Sequence, residues 1–253
     1  MARSSRNLMD YGNLKVYFAV FYADPYPKAF IPVSWMMPSL AAFMDSVTRA
    51  EYPEQGQYYF VGQASFLHIF VPIYLFWGIW LLALAKKKKY SLSTILLYFG
   101  SGYMLSLIYF VAIVTRGLMG VGNINVILFG LFIGIFLTFI TIKLNTKLLY
   151  SGILSAKANS DKLKDEQRKV SSWNTGMAGS IGGWLGVIVT SFVFERFVPD
   201  EVIEGLGFLI GVATIVYCIL VFFAYDKYYK VYLLRKFGLT DIKAQFGEWG
   251  HYG

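Results

Sequence analysis

The chain has 253 residues, of which 57% are hydrophobic, 19% aromatic and only 15% charged, and its mean hydropathy is +0.52. A soluble domain carries about 25% charged residues, so this composition excludes an ordinary soluble globular class and points to an integral membrane protein. The net charge of +8 lies between apolar runs, which fits the charge bias of membrane loops and argues against nucleic acid as a partner.

Taken in chain order, the first segment has a basic start but lacks an apolar core followed by a small-residue cleavage site. No cleavable signal peptide is expected, and insertion is left to internal spans. "NLKVYFAVFYA" (13–23) and "QYYFVGQ" (57–63) are rich in β-formers and could pair as a small strand-like element. Between them lies "AFIPVSWMMPSLAAFM" (29–44), an apolar stretch interrupted by Pro32 and Pro38. It is read three ways: a kinked sixth crossing, a re-entrant hairpin, or an interfacial segment.

Five later segments are long enough and apolar enough to cross the hydrocarbon, which takes about 20 residues of helix. They are 64–85, 91–114, 121–142, 176–194 and 205–225. The expected fold is therefore an all-α polytopic membrane protein. Residues 1–63 form its N-terminal region, 64–225 its helical bundle and 226–253 a basic tail. The polar stretch 155–173 reads as a helical linker, with Asp165 and Lys169 one turn apart. "AYDKYYKVYLLRKFG" (224–238) prolongs the last span towards the interface, with Gly238 as its stop.

Loop charges orient these spans. Lys86 to Lys89, then Lys143, Lys147, Lys157, Lys162, Lys164, Arg168 and Lys169, then Lys227, Lys230, Arg235, Lys236 and Lys243 fall on one side. Against these sixteen, the opposite loops hold Arg116 and Arg196. The Lys-rich side and the C-terminus are expected to be cytoplasmic. A sixth crossing through 29–44 would also bring Arg3, Arg6, Lys15 and Lys28 to that side.

The spans offer little for chemistry. Their interior carries almost no titratable group; His68, near the start of the first span, is the polar candidate, read as an interfacial or interhelical hydrogen-bonding residue. The other histidine is His251, too few ligands for zinc. Cys218 lies alone in an apolar run, so an internal disulfide is excluded. "AGSIGG" (178–183) sets Ser180 among glycines, but His68 should lie near the opposite face, out of reach as a base. The run has no lysine for a phosphate loop. Neither catalytic residues nor a cofactor is expected.

Packing is the remaining use for the glycines. Gly179 and Gly183, and Gly182 and Gly186, share a helix face, and Gly207 and Gly211 repeat the spacing in the last span. Small residues let two helices approach closely in lipid. The simplest arrangement sets the fourth span on the fifth; a homodimer through the same face is the alternative. The short loop between them, with Glu195, Arg196, Asp200, Glu201 and Glu204, is read as a solvated turn or as a recognition edge for a basic or membrane-inserting partner.

"YFAVFYADP" (17–25) followed by "FIPVSWMMP" (30–38), then five spans, resembles the tandem five-transmembrane family of Gram-positive bacteria. The spacing of Pro32 and Trp35 departs from that family's pattern. The resemblance implies a bacterial cytoplasmic membrane location and an immunity role: neutralising a membrane-acting toxin exported by a type VII secretion system. No catalytic residues come with it. A small permease or the membrane subunit of an exporter is a second functional class open to this sequence, and an enzyme acting on lipid or peptide a third, disfavoured because no acid–base pair converges.

Overall fold

In the computed structural model of the chain, residues 27–51, 65–86, 91–120, 124–155 and 200–238 are described. They form six helices: α1 (Pro27–Ser34), α2 (Met36–Glu51), α3 (Ser65–Lys86), α4 (Leu92–Gly120), α5 (Ile124–Ser155) and α6 (Asp200–Lys236). The described part is all-helical. The two strand-like stretches, 13–23 and 57–63, and the expected fourth span, 176–194, lie outside the described residues.

Three stretches are long and apolar enough to cross a membrane: Leu92–Leu118 in α4, Gly130–Lys147 in α5 and Gly211–Lys236 in α6. The apolar part of α3, His68–Leu84, is shorter. So the described residues carry three such helices where the sequence leads one to expect five. α3 is nevertheless a continuous helix of 22 residues, with Pro72 inside it. Proline is tolerated there because neighbouring helices can satisfy the backbone groups it frees.

α1 and α2 are nearly continuous, broken at Trp35. The cause is local. Pro38 has no N–H, so the carbonyl of Ser34, one turn back, loses its helical donor. The chain tightens instead: Trp35 N–H donates to Pro32 O at 3.1 Å, and the ladder resumes with Ser39 N–H on Trp35 O at 3.2 Å. α4 begins at a serine cap, where Thr94 N–H reaches Ser91 Oγ at 3.3 Å. α6 ends as read from the sequence, with Gly238 at φ +68° just past its last turn.

α4 is the centre of the bundle, touching α1, α2, α3, α5 and α6. Side-chain pairs fix the direction of each neighbour. Tyr74 stacks on Tyr98 with centroids 4.4 Å apart, and His68 meets Tyr109 edge-on at 5.6 Å, so α3 runs antiparallel to α4. Trp35 bonds Tyr98 while Asp45 bonds Arg116, so α1–α2 runs parallel to α4. Tyr103 stacks on Phe223 and Tyr228 reaches Ser101, so α6 is antiparallel to α4. Thr138 pairs with Tyr217 and Thr146 with Tyr225, both 79 residues apart, so α5 and α6 are parallel.

One core is built around aromatic residues. Ile31, Tyr74, Leu81, Tyr98, Leu105 and Tyr109 are buried together, with Trp35 and Trp77 against them. Gly78 and Gly102 make this possible. A Cβ on Gly78 would sit 2.5 Å from Tyr98 OH and 2.6 Å from Trp35 Nε1, and one on Gly102 would collide with the Tyr74 hydroxyl.

Candidate functional site

The most polar cluster forms where α2 and α4 finish and α3 begins. Arg116 lies inside α4, four residues before its end, with its side chain fully buried. Its Nη2 stands 2.8 Å from Asp45 Oδ1 of α2, itself fully buried, and its Nη1 donates to the Asp45 carbonyl at 3.3 Å. One arginine thus holds both the side chain and the backbone of one residue. This overturns the reading of Arg116 as a loop residue beyond the second span.

His68 of α3 belongs to the same end. Its Nε2 is 2.7 Å from Ser46 Oγ, and its ring edge meets Tyr109. The expectation of an interhelical hydrogen-bonding histidine fits this geometry. Ser46 and His68 are a serine and a base within reach, but Ser46 Oγ is also 3.0 Å from Ala42 O of its own helix. That is the ordinary back-bond of a serine in a helix, and the pair ties α2 to α3. Among the described residues no group of three or more His, Cys, Asp or Glu could hold a metal ion.

A second polar seam joins α5 to α6. Thr138 Oγ1 lies 2.6 Å from Tyr217 OH, Asn145 Nδ2 donates to Phe222 O at 2.7 Å, and Thr146 Oγ1 lies 2.9 Å from Tyr225 OH. Further along α6, Asp226 accepts from Lys230 at 2.8 Å and Lys227 at 3.2 Å. Cys218 is buried, as its apolar surroundings predict.

The outward surfaces are apolar. α2 shows Met36, Met37, Leu40, Phe43 and Met44; α3 shows Ile69, Ile73, Phe76 and Trp80; α5 shows Leu128, Leu131, Phe132, Ile135, Phe136 and Phe139. Exposed apolar faces of this kind suit contact with lipid or with another protein.

The remaining sequence candidates scatter. Gly179, Gly182, Gly183, Gly186, Glu195 and Arg196 lie outside the described residues. Asp200, Glu201 and Glu204 fall in the first turns of α6. Gly207 is in α6, and Gly211 is buried there. Asp45 is the residue that sequence reasoning passed over. Its signal was its position, one residue beyond the end of the apolar stretch 29–44.

Among the described residues the geometry is that of a helical bundle with three helices fit to cross a membrane and an ion pair buried at one end. No family model, no curated protein and no solved structure matches the chain.

Proposed function

We propose that this is a non-enzymatic, multi-pass protein of a bacterial cytoplasmic membrane that protects its cell by binding a membrane-acting protein toxin within the bilayer. The observation that supports this is how the polar groups are used. Asp45, Arg116, Ser46, His68, Thr138 and Asn145 each bond a neighbouring helix, while the faces of α2, α3 and α5 turned outward are apolar. A protein that works by lateral contact needs a rigid bundle and an apolar exterior, and it needs no active site. The N-terminal motif that resembles the tandem five-transmembrane family carries Trp35, which is built into the core here.

A permease or exporter subunit is the second reading, and one observation favours it. Ionisable residues inside a bundle commonly mark a substrate or proton path, and Asp45 with Arg116 is such a pair. Expression of the chain in a sensitive host, followed by challenge with the toxins encoded beside its gene, separates the two. Survival with membrane potential preserved and solute uptake unchanged is the expected result. Loss of protection against all of them, together with a changed uptake or efflux that Asp45→Asn abolishes, favours transport instead.

A further inference from the structure

Depth within the bundle can be read from the contacts between its helices. The apolar stretches of α4 and α6, Leu92–Leu118 and Gly211–Lys236, have their midpoints at Leu105 and at Phe223–Ala224. These midpoints are nearly level, because Tyr103 stacks on Phe223 and Tyr228 reaches Ser101. With both helices crossing, the middle of the bilayer passes here. α5 is tied to α6 in constant register, Thr138 with Tyr217 and Thr146 with Tyr225. That register sets Lys143 level with Phe222, close to mid-depth, and Lys147 one turn, about 6 Å, further on. The sequence alone sets both lysines beyond the end of a span.

Lys143 and Lys147 share a helix face with Phe132, Phe136 and Phe139, and all of these are exposed. Thr141, Asn145 and Leu149 lie buried on the opposite face. A lysine near a helix end normally sends its ammonium to the bilayer surface. Lys143 instead turns its ammonium back over the Phe139 ring, 4.6 Å from the centroid. Among the described residues neither lysine has a carboxylate partner, and α5 contains no Asp or Glu. An ammonium at this depth is costly to leave in lipid, and a phenyl face offsets only part of that cost. A carboxylate in the same plane offsets more. Phospholipid phosphates lie about 15 Å away, beyond the edge of a roughly 30 Å core. A second copy brings no carboxylate from the described residues. Its Asp45 and Asp226 are in ion pairs, and Glu51, Asp200, Glu201 and Glu204 lie towards helix ends. Residues 176–194 hold no charge.

We propose that the outer face of α5 docks a membrane helix of another protein, one that carries a carboxylate near mid-bilayer opposite Lys143. The proposal rests on the reading of the protein as a lateral binder in the bilayer, not on the partner being a toxin. Its test uses the full chain in phosphatidylcholine vesicles. The probes are leucine-rich membrane peptides of about 24 residues, labelled with an acceptor for tryptophan fluorescence. One has a single Asp at its centre, one has none, and one has its Asp about six residues nearer an end. The central-Asp peptide should bind about tenfold tighter than the other two. Lys143→Leu should abolish that preference and Lys143→Arg should keep it; Lys143→Gln serves if the leucine variant fails to accumulate. Equal binding of the peptides, or a preference that survives loss of Lys143, overturns the proposal. So does displacement of the peptide by phosphatidylglycerol, which would make a lipid phosphate the occupant. Self-association that Lys143→Leu abolishes would make it a second copy. A fluorophore on Leu144→Cys, with Cys218→Ser, should be quenched more by lipids brominated near their chain ends than near the headgroup; the reverse overturns the depth. Protection in the toxin challenge without any peptide preference would sink this inference and leave lateral binding standing.

Discussion

Arg116 and Asp45 hold each other where neither has access to water. Removing one member leaves an uncompensated buried charge, which costs about 3–5 kcal/mol, whereas replacing both by apolar residues of similar volume is often neutral. Arg116→Met is therefore expected to lower stability by about that amount, and Asp45→Leu with Arg116→Met to recover most of it. Thermal unfolding in detergent, followed by circular dichroism, reads both; a single variant as stable as the parent would refute the pair's role. Glycines give a second prediction at this scale. Gly78→Ala drives a methyl into Tyr98 and Trp35, an overpacking typically worth about 1–3 kcal/mol. Gly117→Ala, also within a helix, meets nothing within 4 Å, and alanine is the better helix former by about 1 kcal/mol. The first should lower the unfolding temperature and the second leave it unchanged or raise it. The ion pair was hidden from the sequence for a physical reason. A span is recognised as an uninterrupted apolar run, and that rule stops one residue before Asp45 and two before Arg116. Both charges are admitted because each supplies the other's partner from a different helix, which no single run displays. His68 was legible because a lone polar residue on an apolar helix needs a partner; that the partner is Ser46 was not, because the pair spans two segments.

Helices themselves were the legible level. Long apolar runs mark α3 to α6 directly, and the break at Trp35 follows from Pro38. How the helices neighbour one another was not legible, because hydropathy has no direction around an axis when nearly every side chain is apolar. Direction and register come from sparse polar contacts, and the α5–α6 seam is the clearest case. Its threonines and asparagine each meet a tyrosine or a carbonyl on the facing helix. Hydrogen bonds between membrane helices average only about 0.6 kcal/mol in double-mutant cycles, with a maximum near 1.7. The cycle Thr138→Val with Tyr217→Phe should thus give a coupling of about 0.5–1.5 kcal/mol. The same substitutions should not couple to Arg116→Met, which acts on α2 and α4. Coupling near zero within the seam would mean that packing alone sets its register.

The directions of the described helices bear together on the topology of the whole molecule. α3 and α6 run antiparallel to α4, α5 runs with α6, and α1–α2 runs with α4. One end of the bundle therefore gathers the start of α1, the end of α3, the start of α4 and the ends of α5 and α6. The half of the bundle towards that end carries Lys86, Lys143, Lys147, Lys227, Lys230, Arg235 and Lys236. The other end gathers the end of α2, the start of α3, the end of α4 and the starts of α5 and α6. From Pro27 to Glu51, α1, Trp35 and α2 comprise 25 residues, about 37 Å at the helical rise, long enough for a hydrocarbon core of roughly 30 Å. Trp35 lies beside Tyr98, and Asp45 beside Arg116, so α1–α2 and α4 run in the same direction between these two contacts. A hairpin that entered and left by one side would reverse direction, whereas both contacts advance the same way along α4. The expected outcome is that reporters fused after residues 27 and 50 report opposite sides, with residue 27 on the side of the C-terminus. The kink then lies within the crossing, and the buried ion pair near its far end, where α4 has only four residues left. Reporters on the same side would reject α1–α2 as a crossing and require the charges of the N-terminal region to sit on the outer face. Arg116→Met separates these alternatives further. If α1–α2 crosses, losing the guanidinium weakens the anchor of its far end, and the residue-50 reporter should give a mixed signal while the residue-27 reporter holds. If α1–α2 does not cross, neither reporter should change.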